Sequence, residues 1–241
     1  MLDKDSGIPL YLQIVDELKQ RITSGELKPG DQMPTEAELL KMYGVSRFTV
    51  RQTFYKLLQD GLIVKNRGKG TFVAYPKFVE NLPHLVSFSE EMEKLGKKPS
   101  TDVLSVSIVG TPPQIGEIME RTVDEKCLRI ERLRKADGVP LSILIHFIPQ
   151  SLGVDPRDDF TGSLYELYLN KYHFHIVRGD QIIEAVSANA NQAKLLRVPK
   201  NSPLLLIRRI TVDNQENLIE YVEGYYPADR YSYKISLFRK K

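Results

Sequence analysis

The stretch from Val45 to Leu58 restricts the fold of this chain more than any other. Its apolar side chains recur at the spacing of one helical stripe, at Val50, Phe54, Leu57 and Leu58. Ser46 is a favourable N-cap for such a helix, and Gly61 a favourable end. The first two turns carry hydroxyl, amide and guanidinium groups, which suit phosphate oxygens and base edges in a DNA major groove. The stretch therefore predicts a helix whose N-terminal end faces outward.

Two more helices are predicted upstream of this stretch. Leu10 to Ser24 carries a helical stripe that Gly25 ends, and Thr35-Glu36-Ala37-Glu38 matches a capping box that opens a second helix. Gly44 stops this second helix, and only Gly44 and Val45 separate it from the cap of the third. Such a short connection is typical of a helix-turn-helix.

A basic, glycine-rich hairpin is predicted after the third helix. Two short β segments, from Leu62 to Lys65 and from Thr71 to Val73, flank the tip Asn66-Arg67-Gly68-Lys69-Gly70. The glycines allow a close backbone approach to DNA, and Arg67 and Lys69 can contact phosphates or the minor groove. Residues 41 to 75 carry seven Lys and Arg against one Asp, although the whole chain has a net charge of only +3. This concentration of positive charge predicts DNA binding.

The composition of the whole chain excludes several other classes. A length of 241 residues is enough for two domains. No apolar run approaches the roughly 20 residues of a membrane helix, and no secretory leader opens the sequence. The lone Cys127 cannot form an internal disulfide, which favours the cytoplasm. With one cysteine and four scattered histidines we expect neither a metal site nor a cofactor.

The remainder of the chain alternates predicted strands and short helices. Residues 76–84 show no sustained period and contain prolines, so we interpret them as a linker between domains. Asp137-Gly138 is a strong hairpin signal within the region that follows. We therefore predict an α+β domain built on an antiparallel sheet.

Two arginines in a predicted strand interrupt an apolar face. Leu128, Ile130, Arg132 and Arg134 fall on one side by the two-residue period of a strand. Guanidinium groups that face a core need carboxylates or a bound anion. Two hypotheses stay open, internal salt bridges to Glu220 or Glu184, and an anion-binding pocket. Thr161-Gly162-Ser163 opens a predicted helix whose free amide groups would suit an anion.

The first half resembles the winged-helix domain of GntR-type bacterial transcription regulators. The resemblance is carried by Pro9-Leu10-Tyr11, Gly25-Glu26-Leu27-Lys28-Pro29-Gly30-Asp31, Met33-Pro34-Thr35-Glu36, Val45-Ser46-Arg47, Thr49-Val50-Arg51 and Gly68-Lys69-Gly70-Thr71-Phe72-Val73. It implies DNA contacts at Glu36, Ser46, Arg47, Thr49, Arg51, Gly68, Lys69 and Gly70. Ala37 replaces the arginine of many members, and Phe48 replaces a small or polar residue, so the preferred base sequence is not fixed.

The second half resembles the UTRA effector-binding domain of the HutC-type branch, whose fold is chorismate-lyase-like. The resemblance is carried by Leu85-Val86-Ser87-Phe88-Ser89-Glu90-Glu91-Met92, Arg132-Leu133-Arg134, Val139-Pro140-Leu141, Ile148-Pro149, Ser163-Leu164-Tyr165, Pro203-Leu204-Leu205-Leu206 and Asp229-Arg230-Tyr231. It implies effector contacts at Ser87, Phe88, Ser89, Arg132, Arg134, Ser163, Tyr165, Glu220 and Tyr226. Leu144 replaces a glutamate of members that bind amino-sugar phosphates, so both a sugar phosphate and another anionic metabolite stay open.

Together the resemblances imply a mostly helical winged helix-turn-helix at 1–75, a linker at 76–84, and an effector-binding and dimerisation domain at 85–241. The implied function is a homodimeric transcription regulator, most often a repressor, that binds a near-palindromic double-stranded operator under the control of a small anionic metabolite. A lyase-like enzyme and a ligand-free architectural DNA binder are the alternatives. No paired acid and base at a diagnostic spacing supports the enzyme.

Overall fold

The computed structural model describes residues 2–3, 6–66, 68–75, 77–81, 85–118 and 125–237. It divides into two compact units, Met1–Pro76 and Lys77–Lys241. In the part of the chain that the structure describes, no helix is long and apolar enough to cross a membrane.

The N-terminal unit consists of three helices followed by a two-stranded hairpin. The helices are α1 (Leu10–Thr23), α2 (Glu36–Tyr43) and α3 (Arg47–Gln59), and the antiparallel strands are β1 (Ile63–Asn66) and β2 (Gly70–Val73). Thr35 and Glu38 form the predicted capping box, and Gly44 ends α2 with a positive φ of 61°. The predicted helix-turn-helix and hairpin are therefore present.

The apolar face of α3 differs in part from the predicted stripe. Val50 and Leu57 are buried in the core beside Ile14, Leu18 and other residues of α1. Leu58, however, is 38% exposed, while Thr53 is fully buried. The Thr53 hydroxyl donates to the Thr49 carbonyl at 3.0 Å. A threonine can face a core in this way because the helix backbone satisfies its one polar group.

The C-terminal unit is built on a six-stranded antiparallel sheet with the order β4-β5-β6-β9-β8-β7. The strands are β4 (Pro99–Gly110), β5 (Lys126–Ala136), β6 (Val139–Pro149), β7 (Ile176–Ser187), β8 (Pro203–Asp213) and β9 (Leu218–Pro227). Asp137 and Gly138 join β5 to β6 with φ values of 50° and 77°. Both residues thus adopt the left-handed backbone that a two-residue hairpin requires. The predicted α+β class with an antiparallel sheet is confirmed.

Short helices cover both faces of this sheet. They are α4 (Phe88–Lys94), α5 (Pro113–Ile118), α6 (Leu164–Leu167) and α7 (Ala190–Leu196), with a 3₁₀ turn at Gln150–Leu152 and a π turn at Tyr168–Tyr172. On one face, α4 and α6 contribute Met92 and Leu164 to buried clusters. On the other face, α7 packs Leu196 against Leu133 and Ile143.

Part of the predicted linker has regular secondary structure that the sequence did not indicate. Phe78–Asn81 forms a strand, β3, that pairs in parallel with β10 (Tyr231–Lys234). The Phe78 amide donates to the Arg230 carbonyl at 2.7 Å. Four residues are too few to show a strand period, and their pairing partner lies at the far end of the sequence. The rest of the predicted linker at 76 and 82–84, like Arg67 in the hairpin tip, lies outside the described residues.

Candidate DNA-binding surface and effector pocket

The N-terminal end of α3 presents the predicted contact residues to solvent. Ser46, Arg47 and Arg51 are exposed, and Thr49 is half-buried. The Ser46 hydroxyl accepts from the Thr49 amide at 3.1 Å, which satisfies a free N–H group of the first turn. Ser46 therefore caps the helix, and its hydroxyl also forms a hydrogen bond with the Thr49 hydroxyl at 2.9 Å. The two guanidinium groups point away from the core that Val50 and Leu57 enter.

Glu36 lies beside this helix end. Its Oε2 is 3.5 Å from Nε of Arg51, and both side chains are more than half exposed. The first turn of α2 and the second turn of α3 thus form one polar surface. Two apolar residues also belong to it, because Ala37 is exposed and Phe48 is 70% exposed. An aromatic ring left this open suits a thymine methyl group or a deoxyribose face.

The hairpin tip is shaped by its glycines. Gly68 and Gly70 have φ values of 74° and 121°, which residues other than glycine rarely adopt. A Cβ on Gly70 would lie only 2.8 Å from Nε2 of Gln32, so this backbone is closely packed as well. Lys69 between them is exposed. The tip therefore presents a cation on a backbone that can approach a phosphate closely.

The second site lies on one face of the six-stranded sheet. Cross-strand pairing aligns Arg132 with Leu144, Leu144 with Gly224, and Gly224 with Ile207. Because side chains alternate along each strand, one face collects every second residue of four adjacent strands. These side chains form the floor of a cavity of about 80 Å³: Arg132, Arg134, Leu144, His146, Ile207, Arg209, Glu220, Val222 and Tyr226.

Two short helices and their caps close this cavity. Ser87 caps α4 by accepting from the Glu90 amide at 3.2 Å, and Ser163 caps α6 by accepting from the Glu166 amide at 3.4 Å. The Phe88 ring lies 4.5 Å from the Arg134 guanidinium carbon, which is a cation–π contact. Both serines and Phe88 line the cavity.

Arg132 and Arg134 are each only 2% exposed at the cavity wall. Both donate to the Gly162 carbonyl, and Arg134 also donates to the Ser89 hydroxyl at 2.8 Å. The Nε of each is buried without a hydrogen-bond partner. Among the residues that the structure describes, no carboxylate lies within 4.0 Å of either guanidinium. Burial lowers the pKa of Arg132 to about 10, and burial together with the charge of Arg132 lowers the pKa of Arg134 to about 9.

The hypothesis of internal salt bridges is therefore wrong for the two carboxylates that the sequence suggested. Glu184 pairs with Arg208 on the neighbouring strand. Glu220 accepts from His146 at 2.9 Å, from Tyr168 at 2.8 Å and from Thr211 at 3.3 Å. The predicted helix after Ser163 is present as α6 and continues into the π turn at Tyr168–Tyr172, but a backbone carbonyl rather than an amide faces the arginines at its start.

The structure brings the predicted effector residues together. Ser87, Phe88, Arg132, Arg134, Ser163, Tyr165, Glu220 and Tyr226 line the cavity, and Ser89 bonds Arg134 behind its wall. Their contacts with an effector stay predictions. The resemblance did not imply effector contacts at His146, Arg209 or Tyr231, which also line the cavity. The strand period could have indicated His146, because it lies two residues from Leu144 on the same strand.

Known families match both halves of the chain. The bacterial regulatory proteins of the gntR family match residues 10–73, and the UTRA domain family matches residues 94–232. The chain belongs to the gntR family. Its two units correspond to the DNA-binding domain of that family and to a UTRA domain, and the resemblance seen in the sequence is confirmed.

Relatives of this gntR-family regulator match it over nearly its whole length. It is 32% identical over 234 residues to the HTH-type transcriptional repressor NagR of Bacillus subtilis (strain 168), with 96% of each chain covered. It is 28% identical over 241 residues to the mannosyl-D-glycerate transport/metabolism system repressor MngR of Escherichia coli (strain K12), with 96% of this chain and 97% of the relative covered.

Solved structures of the family share the fold. PhnF from Mycobacterium smegmatis is 25% identical, and its structure superposes with a TM-score of 0.65 over 94% of this chain and 100% of PhnF. NagR and MngR are named as repressors, and this chain is likewise a regulator of transcription rather than an enzyme. The lyase alternative is therefore set aside.

Proposed function

We propose that this chain is a homodimeric, cytoplasmic transcriptional repressor whose operator binding is controlled by a small anionic metabolite held by Arg132 and Arg134. One observation carries the proposal. Two adjacent arginines, each 2% exposed, face a cavity, and no carboxylate among the described residues pairs with either.

The cost of this arrangement supports an anionic ligand. A buried charge without a paired counter-charge is strongly unfavourable, and the shared Gly162 carbonyl and the Ser89 hydroxyl compensate two guanidinium groups only in part. A phosphate or carboxylate in the cavity would supply the missing charge and accept bidentate hydrogen bonds. Ser87 and Ser163 provide hydroxyl groups beside it. An anion therefore satisfies groups that the protein leaves incompletely paired.

The candidate metabolites can be restricted to particular classes of anion. The name of the relative MngR refers to mannosyl-D-glycerate, a sugar derivative with a carboxylate. Leu144 lines the cavity at the position where the sequence resemblance implies a glutamate in members that bind amino-sugar phosphates, so one partner for sugar hydroxyls is absent from this position. A phosphorylated sugar and a hydroxylated carboxylate are thus the two leading candidates.

The N-terminal unit supplies the DNA-binding half of the proposal. In a dimer, each α3 would enter a major groove, and each hairpin would reach the adjacent minor groove, so the operator would be near-palindromic. The exposed Arg47, Arg51 and Lys69 carry the required charge. The metabolite controls this binding only if its affinity differs between the DNA-bound and DNA-free forms.

A thermal-shift screen with the full chain tests the ligand. Inorganic phosphate, phosphorylated sugars and sugar acids are added singly, because a ligand that binds only the folded state raises the melting temperature. We expect at least one anion to stabilise the wild type and to release it from DNA in a gel shift. Arg132→Ala should keep DNA binding and lose both responses. A wild type that no anion stabilises would contradict the proposal.

A further inference from the structure

We propose that His146 selects the effector: its Nε2 accepts a hydrogen bond from a hydroxyl or N–H group of the ligand. The effector would then join an anionic group at the arginines to a donor group at His146. This inference rests on the proposed function, because it concerns the same cavity.

The sheet places His146 at a suitable distance from the arginines. His146 pairs with Ile130 on β5 and with Val222 on β9. Arg132 follows Ile130 by two residues on the same face, so it is the diagonal neighbour of His146, with Cα atoms about 7–8 Å apart. That distance suits the two ends of one small metabolite. His146 lines the cavity and is 5% exposed.

Glu220 determines which nitrogen of His146 carries the proton. The Nδ1 atom lies 2.9 Å from Oε2 of Glu220, a carboxylate that also accepts from Tyr168 and Thr211. Burial would raise the pKa of Glu220, but the hydrogen bonds from His146 and Tyr168 and the charge of Arg209 hold it below the ordinary value. An ionised Glu220 accepts and cannot donate. The proton of a neutral His146 therefore lies on Nδ1.

The other ring nitrogen of His146, Nε2, is then a hydrogen-bond acceptor. Burial lowers the pKa of His146 in spite of the attraction of Glu220, so the imidazole is neutral near pH 7. Its Nε2 is buried and has no hydrogen-bond partner. An unsatisfied buried acceptor costs free energy that a ligand donor recovers. A ligand with a second acceptor or anion at this point would instead face a lone pair, and would be rejected.

Glu220 then acts as a positioning residue. The sequence resemblance implies that it contacts the effector, but its carboxylate is 1% exposed and already accepts three hydrogen bonds. Its role in selection would pass through His146, whose tautomer and ring orientation it fixes. Nε2 of His146 thus supplies an acceptor for a ligand hydroxyl, whereas the leucine at position 144 supplies none.

Two substitutions at His146 separate selection from packing. His146→Asn keeps a donor at the position of Nδ1 for Glu220 and removes the Nε2 acceptor. His146→Gln keeps an acceptor near the position of Nε2 and loses the Nδ1 donor. If His146 only packs the core, both variants should behave alike toward ligands.

The binding experiment uses matched phosphate esters and calorimetry on the full chain. The pairs are glucose 6-phosphate against cyclohexylmethyl phosphate, and glycerol 3-phosphate against propyl phosphate, with inorganic phosphate as the anion alone. For at least one pair we expect the wild type to bind the hydroxylated ester about tenfold tighter, or about 1.4 kcal/mol. His146→Asn should reduce this preference to less than about threefold, and His146→Gln should retain more of it. Affinity for inorganic phosphate should stay unchanged in both variants.

The tautomer is measured without any ligand. In protein labelled with ¹⁵N-histidine, the wild-type spectrum should show His146 protonated at Nδ1 and not at Nε2. A proton at Nε2, or equal binding of hydroxylated and plain esters by the wild type, would overturn the inference while the anion pocket stands. Failure of every phosphate probe, inorganic phosphate included, and of every sugar acid of the thermal-shift screen to bind the wild type would overturn the proposed function and this inference with it.

Discussion

Arg51 Nε lies 3.5 Å from Glu36 Oε2, so the two helices of the helix-turn-helix share an ion pair on the surface that carries the predicted DNA contacts. Both side chains are more than half exposed, and such pairs contribute only about 0–1 kcal/mol to stability. In the absence of DNA, Glu36 can hold the guanidinium near the end of α3. Changes at Arg51 should therefore affect DNA binding far more than folding.

Arg51→Ala should weaken binding to the preferred operator by about 1–3 kcal/mol and relax its sequence preference. The operator is first selected from a random DNA library with the wild type, and affinities are then measured by gel shift. Arg157→Ala is the matched control, because Arg157 is a highly exposed arginine of the C-terminal unit. Unchanged operator affinity in Arg51→Ala would exclude α3 as the recognition helix.

Lys69→Ala tests the hairpin tip. Lys69 is exposed between two glycines of positive φ, which suits a contact between its ammonium group and a phosphate. We expect a similar loss of affinity on selected and random DNA. The slope of log K against log salt concentration should fall in magnitude by about 1, which is the contribution of one phosphate contact. The wing assignment fails if neither the affinity nor the slope changes.

Arg134→Met should stabilise the ligand-free protein and abolish its response to anions. Burial lowers the pKa of Arg134 from its ordinary value to about 9, which means that the folded state disfavours its charge. Replacing such a group by an apolar one of similar length should raise the free energy of unfolding by about 1 kcal/mol. The melting temperature would then rise by about 2–4 °C.

Arg157→Met is the control for that stability measurement, since its guanidinium is exposed and paired with Asp155. It should leave both the melting temperature and the response to phosphate unchanged. A ligand-free Arg134→Met protein that melts well below the wild type would mean that the bonds to Gly162 and Ser89 outweigh the cost of burial.

Gly224→Ala should impair the pocket through a steric effect alone. A Cβ at this position would lie 2.6 Å from Cε2 of Tyr226 and 3.1 Å from Cδ2 of Leu144. Gly224 lies within β9 and has no positive φ. A glycine is therefore needed here because a side chain would not fit, and not because of the backbone conformation. We expect a loss of the anion-induced thermal shift with normal DNA binding. Adding Tyr226→Leu removes the clashing ring carbon and should restore the melting temperature if the single variant lowers it.

The stability of the C-terminal unit should fall in weak acid. The pKa of His146 is lowered by burial, so as the pH decreases below about 6.5 the unfolded chain takes up a proton that the folded chain refuses. The nearby charges act in two directions, since Glu220 favours protonation of His146 while Arg132 and Arg134 oppose it. The lowered pKa of Glu220 adds a second loss below pH 4.5.

Urea unfolding between pH 7.5 and 5.0 measures this dependence. The free energy of unfolding should decrease by at most about 1.4 kcal/mol per pH unit for the single proton of His146. His146→Asn should flatten the slope between pH 6.5 and 5.0, whatever its stability at pH 7.5. An equally steep slope in that variant would assign the effect to other groups.

Local signals predicted the N-terminal unit well. The capping box at Thr35, the glycine at Gly44 and the short turn before Ser46 each specify backbone conformation within a few residues, and the structure has all three. The error at Leu58 has a physical reason. Periodicity alone cannot tell which edge of an apolar stripe the neighbouring helices cover, and Thr53 fills the place instead.

The pocket could be predicted in part. The strand period correctly placed Arg132 and Arg134 on one face, and the resemblance supplied most of the other lining residues. The partners of the arginines were beyond sequence reasoning, because a backbone carbonyl has no sequence signature. The hydrogen bond between His146 and Glu220 was hidden for another reason. It joins residues 74 positions apart, and only the register of β6 against β9 brings them together.

The pairing of β3 with β10 connects the wall of the cavity to the segment that follows the hairpin. Tyr231 lines the cavity and is also the strand partner of Phe78. Phe78 is separated from Val73, the last residue of the hairpin, by only four residues. If the proposed effector displaces Tyr231, the displacement therefore reaches the chain next to the hairpin through one backbone pairing, without a relay through the sheet core.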